Sequence, residues 1–260
     1  MTPPEILDGI LERIPTNKEG RSTLITCALV ATWWTGPSQR RLFSSVPLND
    51  GNHQRWMNGV VLPGSKTHLL RYVRSILHSF FPLHGTWYPV RSLPKDSGQY
   101  LPALCNLRSL SLYNAYIEHL SEVEFHTCFS AFRETLTELT IGFFSTSFST
   151  SVALVNYFPN ITTLRLGSFS LRPDEEPVPL LSRPLRGKIY IHYTNQDQRC
   201  DLVDRLANLE MEYDRLVIES RFKVLKPEVL EGNLRLSPST VRYLKLASSV
   251  RGGLPHDSHL

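Results

Sequence analysis

Leu107-Arg108-Ser109-Leu110-Ser111-Leu112 is the stretch that decides the fold. Its apolar residues stand first, fourth and sixth, and the same spacing returns at Leu136/Leu139/Ile141, Ile161/Leu164/Leu166, Tyr213/Leu216/Ile218 and Val241/Leu244/Leu246. The first three motifs start 29 and then 25 residues apart, and the last two 28 apart. The 52 residues from Ile161 to Tyr213 leave room for one more unit, and Leu185-Arg186-Gly187-Lys188-Ile189-Tyr190-Ile191 stands almost midway with one extra residue. An earlier, weaker unit is read at Tyr72-Val73-Arg74-Ser75-Ile76. Alternation at period two sends the second and third apolar side chains of each motif to one side of a strand and the residues between them to the other. Between the motifs the apolar spacing turns helical: Val123, Phe125, Phe129 and Phe132, then Val152, Val155 and Phe158, then Cys200, Val203, Leu206 and Ala207. A strand, loop and helix repeating every 24 to 29 residues predicts an α/β chain, with a parallel sheet on one face of a curved stack and helices on the other.

Composition agrees with a folded chain. Of 260 residues 41% are apolar and only 20% charged, so self-repulsion is too weak to keep the chain open. Leu is the commonest residue, at 39. The net charge of +4 is diffuse: residues 1–47 carry 5 basic and 4 acidic groups, leaving 23 and 20 for the rest. Such a balance argues against a phosphate-tracking surface as the main function. Cys27, Cys105, Cys128 and Cys200 form no CxxC pair and no zinc-spaced cluster, and read as buried thiols. The N-terminus lacks the basic and apolar regions of a secretory signal, and no stretch approaches the 18 or so apolar residues of a membrane span. A cytoplasmic or nuclear location is expected, which leaves Asn160-Ile161-Thr162 as an ordinary strand start rather than a glycosylation site.

The first 47 residues are a different kind of sequence. Thr2-Pro3-Pro4-Glu5 combines an N-cap, a proline at the first helical position and a capping-box glutamate. Ile6, Leu7, Ile10, Leu11 and Ile14 then follow at helical spacing up to Pro15. The stretch from Leu24 to Trp34 is apolar nearly all round and predicts a helix buried on more than one side, within which Trp33 and Trp34 read as packing residues. Pro37 then opens a third, short helix ending in Arg40-Arg41-Leu42-Phe43. A unit this small buries only about 60% of the surface its unfolded chain exposes, so either the rest of the chain or a partner must cover these helices.

Pro3-Pro4-Glu5-Ile6-Leu7, then Ile10, Leu24, Leu29-Val30, Trp34 and Leu42-Phe43, follow in order the pattern of the F-box. The segment resembles this three-helix motif of ubiquitin-ligase substrate receptors over about residues 2–46. The resemblance implies that it binds the Skp-type adaptor of a cullin-RING ligase. Carried over by position, the contacts are Pro3, Pro4, Ile6, Leu7, Ile10, Leu24, Val30 and Trp34. The family usually has Leu before the first proline, where this chain has Thr2.

The remainder is similar to leucine-rich repeats, with one departure. The Asn or Cys that the family places three residues after the last Leu of the motif is replaced by Ala115, Phe144, Phe169 and Ser249. The resemblances together imply an N-terminal three-helix F-box (1–47), a linker with irregular first repeats (48–106), an irregular leucine-rich-repeat-like solenoid (107–250) and a tail (251–260), as in fungal F-box-like proteins. The implied function is a non-catalytic substrate receptor. Its outward sheet residues Ser109, Ser111, Glu138, Thr140, Thr163, Arg165, Arg215, Tyr243 and Lys245 would meet a protein substrate. The alternative is a repeat scaffold whose N-terminal helices only cap the solenoid. No Gly-rich phosphate loop, GxSxG or HExxH motif is present, Pro94 interrupts the formal SxxK of Ser92–Lys95, and the scattered His residues lack metal-clamping spacing. No catalytic residue, metal or cofactor is expected.

Overall fold

A computed structural model describes residues 4–15, 17–49, 51–62, 66–79, 101–113, 117, 120–142, 148–167, 181–182, 185–193, 211–220 and 242–248. Three helices come first, α1 (Pro4–Glu12), α2 (Lys18–Val30) and α3 (Thr32–Phe43). Leu7 and Leu11 of α1 and Leu24 of α2 form a small core, against which Ile14, Cys27, Trp34 and Leu42 are partly packed. α2 begins well before its apolar run because Asn17 caps it, the side-chain oxygen accepting from the Gly20 N–H at 2.9 Å. The run from Leu24 to Trp34 is not one helix. Ala31 is extended (φ −154°, ψ 150°), so α2 ends at Val30, and Trp33 and Trp34 belong to α3 with Pro37 inside it rather than opening it. The Thr35 hydroxyl donates to the Ala28 carbonyl at 3.0 Å, satisfying one of the acceptors that a helix end leaves open. Two arginines tie α1 to α3: Arg40 meets the Asp8 carboxylate at 3.1 Å, and Arg41 donates to the Glu12 and Ile14 carbonyls at 3.2 and 3.3 Å.

The repeated motifs become strands. β1 (Ser45–Asn49), β2 (Ser75–Ser79), β3 (Ser109–Tyr113), β4 (Glu138–Gly142), β5 (Thr163–Leu166), β6 (Leu185–Tyr193), β7 (Met211–Ser220) and β8 (Tyr243–Ser248) form one parallel sheet whose spatial order is the chain order. The register aligns the motif residues in two rows. One runs Val46, Ile76, Leu110, Leu139, Leu164, Ile189, Leu216, Leu244; the other runs Leu48, His78, Leu112, Ile141, Leu166, Ile191, Ile218, Leu246. β1 crosses the boundary that the sequence placed at residue 47, so the sheet starts inside the segment read as helical unit and linker. Pro47 is tolerated there because β1 is an edge strand, where a missing N–H breaks no ladder.

At the entry to the strands one residue per unit repeats a main-chain device. Arg74 and Ser75 both donate to the Ser44 carbonyl, Arg108 and Ser109 to that of Arg74, Thr137 and Glu138 to that of Arg108, and Thr162 and Thr163 to that of Thr137. β6 departs from the series through its extra residue. Gly187 has φ +108° at a register shift, and a Cβ there would lie 2.2 Å from the Thr162 carbonyl oxygen. Gly187→Ala is therefore expected to destabilise the chain by about 1–3 kcal/mol, since an L-residue is strained at that φ and the obstructing atom is backbone. A urea midpoint equal to that of the wild type would show that the bulge relaxes freely.

The described crossovers lie on one side of the sheet. α4 (His53–Trp56) continues into a π-helical turn (Met57–Val61) between β1 and β2, α5 (Glu122–Phe129) and a 3-10 turn (Ser130–Phe132) join β3 to β4, and α6 (Phe148–Tyr157) joins β4 to β5. A capping box in which the Ser121 and Glu124 side chains bond each other's backbone N–H groups starts α5. Trp56, Met57, Phe129, Phe132, Val155 and Phe158 share one core with the apolar residues that both rows place on β1 to β7. These helices match those expected around Val123–Phe132 and Val152–Phe158; the helix expected near Cys200–Ala207 and the tail 251–260 lie outside the described residues. No described element covers the opposite face of the sheet, whereas parallel sheets are usually covered on both.

Candidate functional site

The helical unit presents more apolar surface than its core can take. Ile6 and Ile10, one turn apart on α1, are about half exposed, as are Ile25 and Trp33, while Leu29 and Val30 are 82% and 70% exposed. None of the six belongs to either core. The expectation that the second apolar stretch is buried on more than one side is thus corrected: α2 buries Leu24 and leaves Ile25, Leu29 and Val30 in solvent, because three short helices can enclose only a core as small as Leu7, Leu11 and Leu24. Of the residues expected to meet an adaptor, Ile6, Ile10 and Val30 are exposed. Leu7 and Leu24 are buried within the unit, Trp34 is partly so, Pro4 opens α1, and Pro3 lies outside the described residues. Their place is taken on the surface by Ile25 and Leu29, four residues apart on α2, and by Trp33 of α3.

On the sheet face that no described element covers, Ser109, Ser111, Glu138, Arg165, Arg215, Tyr243 and Lys245 stand at alternating outward positions and are not buried. Thr140 and Thr163 share that face but are buried, a correction with a simple cause: their short side chains stand beside Arg165 in one case and between Glu138 and Lys188 in the other. The Arg165 guanidinium lies 3.9 Å from the ring centroid of neighbouring Tyr190, and that of Arg215 lies 4.5 Å from the Tyr243 ring. Both are cation–π pairs between adjacent strands. The Tyr113 ring lies over Gly142, where a Cβ would come within 2.6 Å of it. Desolvation raises the Tyr113 pKa, and the charge of Arg165 partly offsets this. Tyr113, Lys188 and Tyr190 were not anticipated, although the same alternation places them on this face.

A third feature was not foreseen. Where α3 meets the entries to β2, β3 and β4, a cavity of about 210 Å³ is lined by Arg40, Arg71, Arg74 and Arg108, together with Tyr72, Asn106 and Thr135. Among the described residues no group of three or more His, Cys, Asp or Glu could hold a metal ion, and no described helix is long and apolar enough to cross a membrane. No protein family, no curated protein and no solved structure matches the chain.

Proposed function

We propose that this chain is the substrate-recognition subunit of a Skp-cullin-F-box type ubiquitin ligase, in which α1–α3 bind the Skp-type adaptor and a leucine-rich-repeat-like solenoid presents a protein substrate on its open sheet face. The observation that carries the reading is the exposed set Ile6, Ile10, Ile25, Leu29, Val30 and Trp33. Burying a large apolar side chain is worth about 1.5–3 kcal/mol, so six such side chains exposed on three short helices are a strong driver of association. The alternative, in which the helices only cap the solenoid, draws on Phe43 of α3, which packs against the main core. It leaves those six residues without a role. The receptor supplies no chemistry: it raises the concentration of a substrate lysine near the ubiquitin-charged conjugating enzyme.

Co-purification of the full chain with a Skp-type adaptor tests this. Leu29→Asp/Val30→Asp changes two side chains that already face solvent, so the fold, read by circular dichroism and melting temperature, should survive. Binding should weaken by at least about tenfold, since two of the most exposed apolar side chains of the unit would become charged. Failure of the wild type to bind, or equal binding by the folded variant, overturns the reading. Leu7 is a poor probe, because an aspartate in the small core would unfold the unit whatever its partner.

A further inference from the structure

We propose that the arginine-lined cavity between α3 and the strand entries is a binding site for a phosphate-type anion, either free phosphate or a phosphate monoester. The inference does not depend on the ligase reading.

Four arginines line one cavity, and they come from different parts of the chain: Arg40 from α3, Arg71 from the 3-10 segment before β2, and Arg74 and Arg108 from the entries to β2 and β3. The main-chain device described above fixes the last two. The Arg108 N–H donates to the Arg74 carbonyl at 2.8 Å, so the residues are adjacent rungs of one ladder and their side chains start roughly one strand spacing apart, about 4.8 Å. Arg71 is oriented by two contacts, a hydrogen bond from its Nη2 to the Tyr72 hydroxyl at 2.6 Å and a guanidinium position 4.7 Å from the Tyr72 ring centroid. The Asn106 amide holds the backbone beneath it by donating to the Arg71 carbonyl at 2.9 Å.

Charge balance points the same way. Asp8 pairs with Arg40 at 3.1 Å, but among the described residues no carboxylate lies within ion-pair distance of Arg71, Arg74 or Arg108. Like charges gathered around one cavity repel one another even though the four arginines are exposed, and an anion placed among them turns that repulsion into attraction. Arginine is the side chain suited to this task, because its planar fork donates two parallel hydrogen bonds to a pair of phosphate oxygens. Size narrows the ligand. At about 210 Å³ the cavity falls below the range of roughly 300–1,000 Å³ typical of pockets for drug-sized molecules, so it suits a single phosphate group rather than a whole nucleotide. Because Arg40 belongs to the helical unit and the other three precede strands, a bound phosphate would bridge the two parts of the fold.

Isothermal titration of the full chain with inorganic phosphate, at fixed ionic strength in chloride, is the direct test. Saturable binding is expected, and Arg74→Gln/Arg108→Gln should weaken it at least about tenfold, the loss of two charge-assisted contacts. Asp8→Asn moves in the opposite direction: releasing Arg40 from its carboxylate should tighten binding by roughly two- to fivefold, which a merely structural role for these arginines would not produce. O-phosphoserine, titrated in parallel, assigns the source. Tighter binding than inorganic phosphate indicates a monoester ligand, and equal or weaker binding indicates the free anion. No saturable binding of either probe by the wild type overturns the proposal. Unchanged affinity in both variants overturns it as well, and should the double variant not fold, the Asp8→Asn titration decides alone.

Discussion

Replacing Phe132 with Ala is expected to cost about 3–5 kcal/mol, a fifth or more of the roughly 5–15 kcal/mol by which a typical domain is stable. Phe132 is fully buried on the turn that follows α5, where it stacks on Phe158 with ring centroids 5.8 Å apart and planes 12° apart. Phe129 meets both rings edge-on, each at 6.0 Å. The three rings thus join the crossover between β3 and β4 to the chain just beyond α6, which is the crossover between β4 and β5. In a sheet whose strands contact only their neighbours in sequence, such links between crossovers make adjacent units unfold together. Removing the ring leaves a cavity that backbone fixed on both sides cannot close. Phe132→Leu keeps most of the volume and should lose less than half as much, chiefly the ring–ring contribution of about 0.5–1.5 kcal/mol per pair. Urea unfolding measures both variants; a loss below about 1 kcal/mol for Phe132→Ala would mean that the units are not coupled through this cluster.

The sheet was legible in the sequence because its inward rows obey one spacing, and each exception has a physical source. Phe43-x-x-Val46-x-Leu48 fits the motif, but its first residue is also the last of α3, and the helical reading of Arg40–Phe43 concealed the strand. At β2 the run Val73-x-x-Ile76-x-His78 fails in its third place, where a histidine stands in a row of leucines and isoleucines. The helical unit was less legible. Apolar periodicity tells which residues prefer burial, not whether enough neighbours exist to bury them, so Leu24 and Leu29 look alike in sequence and end at opposite extremes of exposure. The arginine cavity was invisible for another reason. Arg40, Arg71, Arg74 and Arg108 are spread over 69 positions in a chain of diffuse charge, and only the register of parallel strands against α3 gathers them.

That misplaced histidine leads to the second large effect: the chain should lose about 3 kcal/mol of stability between pH 7 and pH 4.5 through His78 alone. His78 is fully buried between Leu48 and Leu112 of the adjacent strands. Desolvation is the main reason that its pKa falls from 6.5 to about 3, and the nearby His53 depresses it further. The folded state therefore holds the neutral imidazole, while the unfolded chain binds a proton near pH 6.5. Above that pH neither state is protonated and nothing is lost. Below it the unfolded state carries one proton more, and stability falls by about 1.4 kcal/mol per unit until the folded form also protonates near pH 3. His78→Leu restores the residue type of the row and removes the titration. Carboxylates also protonate in the lower part of this range, so the informative quantity is the difference between wild type and variant, in which their contribution cancels. Urea midpoints at pH 7 and pH 4.5 should show the variant losing about 3 kcal/mol less than the wild type. Parallel losses in the two proteins would mean that His78 reaches solvent or a proton-accepting partner, and would remove it as the source of acid sensitivity.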